Sequence, residues 1–198
     1  MSTVIVVRKG SQACIAADSL TTWGSHIRER KGFELNNDKI FQYNESYFGM
    51  VGFAGNQTVL KSYLTGLKEK PDLSSSEAIF EFWRKMHKDL KEHYFVNPRD
   101  EKDDPYESSR VGARICNPHG TFYISDMRFV ATFAKYWAIG SGQEYALGAL
   151  YANYDRYKNP LDIAKAALAA ACEFDLHSDQ PCVYYAVKLI SQKRAKRN

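Results

Sequence analysis

Residues 1–19 read MSTVIVVRKGSQACIAADS. Val4, Ile5, Val6 and Val7 form a β-branched run, and Ala13, Cys14, Ile15, Ala16 and Ala17 a small apolar one. Between them stands Gly10-Ser11, a two-residue glycine turn of the kind that closes hairpins. Antiparallel strands are therefore expected over 3–9 and 12–18. A strand that starts at the third residue leaves no room for a loose tail. Termini are loose unless something ties them down, and here the expected tie is a sheet.

The pattern continues outward from this hairpin. KIFQY and SYFGMVGFAG read as a second hairpin, turned at Asn44-Glu45 and ending at Gly55. RVGARICN, the turn Asn117-Pro118-His119-Gly120 and TFYISD form a third, followed by a strand over 128–133. A first helix is entered from Gly55. A second spans 74–95, where Ile79, Phe82, Trp83, Met86, Leu90 and Tyr94 recur at helical intervals behind a capping-box pair, Ser74 and Glu77. WAIGSGQEYALGALYANYD passes from strand to helix, Asn159-Pro160 supplies a cap and a first-turn proline to the last helix, and CVYYAVKLI closes as a strand. Hairpins at both ends, with helices gathered in two blocks between them, argue for an α+β fold of stacked antiparallel sheets with helices outside, and against a βαβ parallel sheet. No repeat, linker or low-complexity stretch interrupts the chain. Residues 1–198 are expected to form a single domain with a short basic tail over about 191–198.

Composition narrows the function classes. With 198 residues, 44% hydrophobic and 25% charged, the chain is long enough to bury about 70% of its unfolded surface. The Val4 to Val7 run is shorter than the ~7–15 apolar residues of a signal peptide or the ~20 of a membrane span, so a cytoplasmic protein without membrane association is expected. Cys14, Cys116, Cys172 and Cys182 form no CxxC pair and suit reduced core thiols, with no disulfide and no zinc. The net charge is +4, but Lys188, Lys193, Arg194, Lys196 and Arg197 lie at the C-terminal end, leaving 22 basic against 23 acidic residues elsewhere. That neutral body argues against a nucleic-acid partner. The acids of NPRDEKDDPYESS lack the alternate ligands and central glycine of a calcium loop, and no metal or cofactor is expected. His26, His87, His93, His119 and His177 are scattered, with no partnered serine or cysteine motif, and take surface or packing roles.

Chemistry enters at Ser2. A hydroxyl is a weak nucleophile at neutral pH, and a free terminal amine on the same residue can serve as its base. That amine has an unperturbed pKa of about 7.7–8.0, suited to proton transfer near neutrality. Serine is small enough that the preceding methionine is ordinarily removed.

The ordered series STVIVV, IAADSLTTWG, DKIF, GFAGN, AIGSG and EFDLHSD resembles the proteasome β-subunit and HslV-like superfamily of N-terminal nucleophile hydrolases over nearly the whole chain. Within it the sequence is most similar to small bacterial proteasome homologues with a short or absent propeptide. The resemblance implies a four-layer αββα sandwich and a peptidase that builds homo-oligomeric stacked rings around an inner chamber and cuts unfolded polypeptides. It places the nucleophile on Ser2, the paired acid and lysine on Asp18 and Lys39, and the oxyanion amide on Gly55. Ser141 falls beside the terminal amine, Asp175 and Ser178 match a supporting acid and serine, Thr21 and Thr22 bind the substrate backbone, and Phe53 lines the first specificity pocket. It leaves an ATPase unfoldase undetermined. Three departures stand out: serine replaces the usual threonine, Asp179 stands where many members have glycine, and the loop over 25–37 is longer than in HslV.

Taken singly, each residue has a plainer role. Asp18 can open a turn, Lys39 can be a solvated lysine, Gly55 can admit a helix, Ser141 can cap one, and Asp175 with Ser178 can end one. Two other functions stay open on the sequence: a small-amide hydrolase using the same nucleophile logic, and a non-catalytic ring scaffold that keeps Met1.

Overall fold

The computed structural model describes residues 2–23, 27–29, 38–97 and 104–190. Met1, His26, most of the loop over 25–37, the charged run over 98–103 and the basic tail over 191–198 lie outside them.

The first sheet runs in the order β10 (Tyr136–Gly140), β1 (Thr3–Lys9), β2 (Gln12–Ala17) and β11 (Val183–Lys188). Every neighbour in it is antiparallel. The β1–β2 hairpin closes at Lys9 and Gln12, with Gly10 at φ +60°. The second sheet runs β5 (Ile40–Tyr43), β6 (Ser46–Gly49), β7 (Ala113–Asn117), β8 (Gly120–Ile124) and β9 (Val130–Thr132), again antiparallel throughout. A small separate hairpin joins β3 (Thr21–Trp23) to β4 (Ile27–Glu29).

Side-chain alternation along β1 explains why its apolar run is continuous. Ile5 and Val7 pack with Cys14, Ala16, Ala138 and the alanine-rich faces of α3 (Gln143–Asn153) and α4 (Pro160–Phe174). Val4 and Val6 face the other way and meet Ile15, Ile40 and Cys116 between the sheets. On the far side Phe48, Ile115, Phe122 and Ile124 bury Leu60 and Leu64 of α1 (Ala54–Gly66) and Ile79, Trp83, Met86 and Leu90 of α2 (Ser76–His93). The layers are thus α3/α4, first sheet, second sheet, α1/α2, the αββα sandwich expected. The sheets touch closely at Gly49, where a Cβ would lie 2.6 Å from Val4 Cγ1.

Two local expectations move. The strand expected to reach Gly55 stops at Gly49; the chain then turns through Gly52 at φ +95°, and Gly55 lies in the first turn of α1. The cap of α2 is Ser75, not Ser74. Asp72 Oδ1 accepts the Ser74 amide at 2.9 Å, holding it in the preceding turn, so Ser75 Oγ accepts from Ala78 N–H at 3.2 Å instead. The Asn159 cap of α4 stands as expected, its Oδ1 accepting the Leu161 amide at 2.9 Å.

Candidate active site

The site forms where β1 begins. Thr3 N–H donates to Asp18 Oδ1 at 2.7 Å, and Asp18 N–H returns to the Thr3 carbonyl at 3.2 Å. From the other flank, Ser141 N–H donates to the Ser2 carbonyl at 2.9 Å. Residues 2 and 3 are therefore gripped on both sides, and Ser2 is buried.

Asp18, fully buried just past the end of β2, gathers the second set of contacts. Its Oδ2 accepts from Lys39 Nζ at 2.7 Å and from Leu20 N–H at 3.0 Å. Lys39 Nζ also donates to the Leu20 carbonyl at 2.7 Å. Burial drives both partners toward neutrality, Asp18 up and Lys39 down from their ordinary values, while their mutual attraction and hydrogen bonds oppose it. The donors converging on Asp18, from Thr3, Leu20 and Lys39, all favour its ionised form and oppose the effect of burial.

A third set comes from the end of α4. Asp175 Oδ2 accepts from Ser141 Oγ at 2.7 Å and from Ser178 Oγ at 2.6 Å. Ser178 has spent its one proton there, so Thr3 Oγ1 donates in the 2.7 Å contact between the two hydroxyls. Burial raises the Asp175 carboxyl, but the bonds from Ser178, Ser141 and the His177 amide outweigh it and hold it below the usual aspartate range.

Ser2, Asp18, Lys39, Ser141, Asp175 and Ser178 thus meet around one strand end. Thr21 and Thr22 follow directly in β3, next to Leu20. Phe53 and Gly55 stand at the start of α1, and among the described residues neither hydrogen-bonds to this network. Phe53 is the N-cap, supplies no side-chain cap, and is 77% exposed. Its ring crosses Gly55 so closely that a Cβ there would lie 2.4 Å from Phe53 Cε1. No side chain caps this helix, and its third amide, Asn56 N–H, donates to the Phe53 carbonyl at 3.1 Å.

Several participants were not singled out from sequence. Thr3 read as an ordinary strand residue, yet it ties Asp18 to Ser178. Gly140 and Gly142, flanking Ser141, are demanded by space: a Cβ on Gly140, at φ +103°, would lie 1.7 Å from the Ser2 carbonyl oxygen, and one on Gly142 2.3 Å from Thr3 Oγ1. The repeated glycine of AIGSG was the available signal. Asp179, noted only as a departure, has its carbonyl accept from Ser19 N–H at 3.3 Å, and its carboxylate lies 3.5 Å from Arg28. Among the described residues no group of three or more His, Cys, Asp or Glu could hold a metal ion.

A hydroxyl amino acid at the head of a central strand, backed by a buried Asp–Lys pair between two stacked antiparallel sheets, defines the N-terminal nucleophile hydrolase architecture. Solved structures agree. Thiobacillus denitrificans BPH is 37% identical with a TM-score of 0.88, over 96% of this chain and 100% of that one. Its complex with epoxomicin gives 36% identity and a TM-score of 0.86 over 96% and 100%. Eukaryotic HslV from Trypanosoma brucei, at 21% identity, shares the fold with a TM-score of 0.69 over 94% of this chain and 99% of that one. No family model matches the sequence, and no curated protein does. The chain belongs to the proteasome β-subunit and HslV-like superfamily.

Proposed function

We propose that this chain is an N-terminal nucleophile peptidase that works inside homo-oligomeric stacked rings in the cytoplasm and cuts unfolded polypeptides. The observation that carries the reading is the convergence of Asp18, Lys39, Ser141, Asp175 and Ser178 on residues 2 and 3. Such effort at a strand end is unnecessary for folding alone, since buried charge costs stability. The epoxomicin complex of the relative at 36% identity supports the same class of activity.

Removal of Met1 exposes the amine of Ser2. Ser2 Oγ then attacks the scissile carbonyl while the amine, through a water, takes the hydroxyl proton. The developing oxyanion is held by the Gly55 N–H at the positive end of α1; loss of one such donor in other enzymes costs about 2.7–4 kcal/mol. The proton passes to the leaving amine, an ester remains on Ser2, and water hydrolyses it with the terminal amine again as base. Lys39, positioned by Asp18, lowers the proton affinity of the hydroxyl and the amine electrostatically. Asp175 and Ser178 hold Ser141 and Thr3 so that the amine keeps its place. Thr21 and Thr22 pair with the substrate backbone, and exposed Phe53 lines the first specificity pocket.

The test is Ser2→Ala in a fluorogenic peptide assay. The variant should assemble as the parent does and lose at least about 10³-fold in kcat/KM. Full activity in an assembled Ser2→Ala protein contradicts the assignment.

A further inference from the structure

Cys172 and Cys182 were expected to be reduced core thiols with no disulfide, and their sulfurs lie 3.7 Å apart. Cys172 is in the last turn of α4, and Cys182 immediately precedes β11. They stand at the two ends of residues 173–181, and everything this part of the chain gives to the site lies between them. Asp175 accepts from Ser141 and Ser178, Ser178 meets Thr3, and the Asp179 carbonyl accepts from Ser19. Both thiols are half-buried, whereas Cys14 and Cys116 are fully enclosed. An oxidant in solution therefore meets this pair first. The two sulfurs are also unequal. The contact with Cys182, together with burial, raises the Cys172 thiol, while the same contact lowers Cys182, making Cys182 the better attacking sulfur.

We propose that Cys172 and Cys182 form a reversible disulfide that clamps the segment carrying Asp175 and Ser178 and slows turnover; the effect on rate rests on the peptidase reading, and the cross-link does not. The oxidant is a small-molecule disulfide. The Cys182 thiolate attacks one of its sulfurs, forming a mixed disulfide and expelling the first small thiolate. The Cys172 thiolate then attacks the Cys182 sulfur and expels the second. Two electrons and two protons leave the pair, and the oxidant departs as two thiols. A disulfide bond is about 2.05 Å long, so the sulfurs must close by about 1.6 Å from their present 3.7 Å. The hydrogen bonds from Ser141 and Ser178 to Asp175, at 2.7 and 2.6 Å, are too short to absorb such a shift unchanged. Displacements near 1 Å at positioning groups cost on the order of 10²-fold in rate.

The full chain is treated with oxidised glutathione, digested without reduction and analysed by mass spectrometry beside a peptidase assay. The expected product has lost two hydrogens, carries Cys172 and Cys182 in one linked peptide, and works at least about tenfold more slowly, with full recovery in dithiothreitol. The double variant Cys172→Ser/Cys182→Ser should keep its rate in oxidised glutathione. Four free thiols after treatment, linkage through Cys14 or Cys116, an unchanged rate in the linked protein, or equal slowing of the double variant would each overturn the proposal. If the reduced protein cuts no peptide, the peptidase reading fails on its own. The linked peptide, together with slower amide exchange over 173–181, then still decides the clamp.

Discussion

Lys39 and Asp18 bury a charge pair at a strand end. Their side chains are 8% and 0% exposed, with Nζ and Oδ2 2.7 Å apart. Lys39→Met leaves the carboxylate unpaired in the interior and should cost about 3–5 kcal/mol in denaturant unfolding. Adding Asp18→Asn should recover part of that loss, because the stranded charge is gone. Asp175 gives a pH dependence of defined sign. Its folded-state value is held below the ordinary 3.8, so its stabilisation is complete above that value and is lost as pH falls through the lower folded one. The stability gap between the parent and Asp175→Asn should therefore be widest near neutrality and shrink below about pH 4, as measured by denaturant midpoints. At this scale sequence was a partial guide. Asp18, Lys39, Ser141, Asp175 and Ser178 could be named because they stand in short motifs shared with a known superfamily. Thr3 could not, because its role depends on which residues sheet order brings against the head of β1, here Asp18 and Ser178, and no local pattern carries that.

At the scale of elements, alternation and helical spacing revealed more. The first hairpin was legible because its turn glycine and two apolar runs agree with each other, and α4 because Asn159 and Pro160 mark its start. The end of β6 was not. The strand stops at Gly49, which approaches Val4 across the sheets, and the chain turns through Gly52, while the glycine that looked like a terminus already belongs to α1. The cap of α2 moved by one residue for a local reason, the capture of Ser74 by Asp72. This displacement has a direct check. Ser75→Ala should destabilise the protein by about 1 kcal/mol, the ordinary worth of an N-cap. Ser74→Ala, which keeps the amide bond to Asp72 and loses only an exposed hydroxyl contact to that carboxylate, should change thermal stability less.

For the whole molecule, four layers place the head of β1, within the first sheet, against the end of α4, so residues far apart in sequence converge on residues 2 and 3. No helix among the described residues is long and apolar enough to cross a membrane. Ring assembly on the pattern of the superfamily would enclose these strand ends in a chamber. The most direct measurement is the intact mass of the purified, assembled protein before and after an electrophilic peptide inhibitor, with the adduct mapped by fragmentation. The proposed chemistry predicts a chain lighter by one methionine that gains a single inhibitor on Ser2. Assembled protein that cuts peptides while its second residue stays acylated by Met1, or that carries the inhibitor elsewhere, would contradict it.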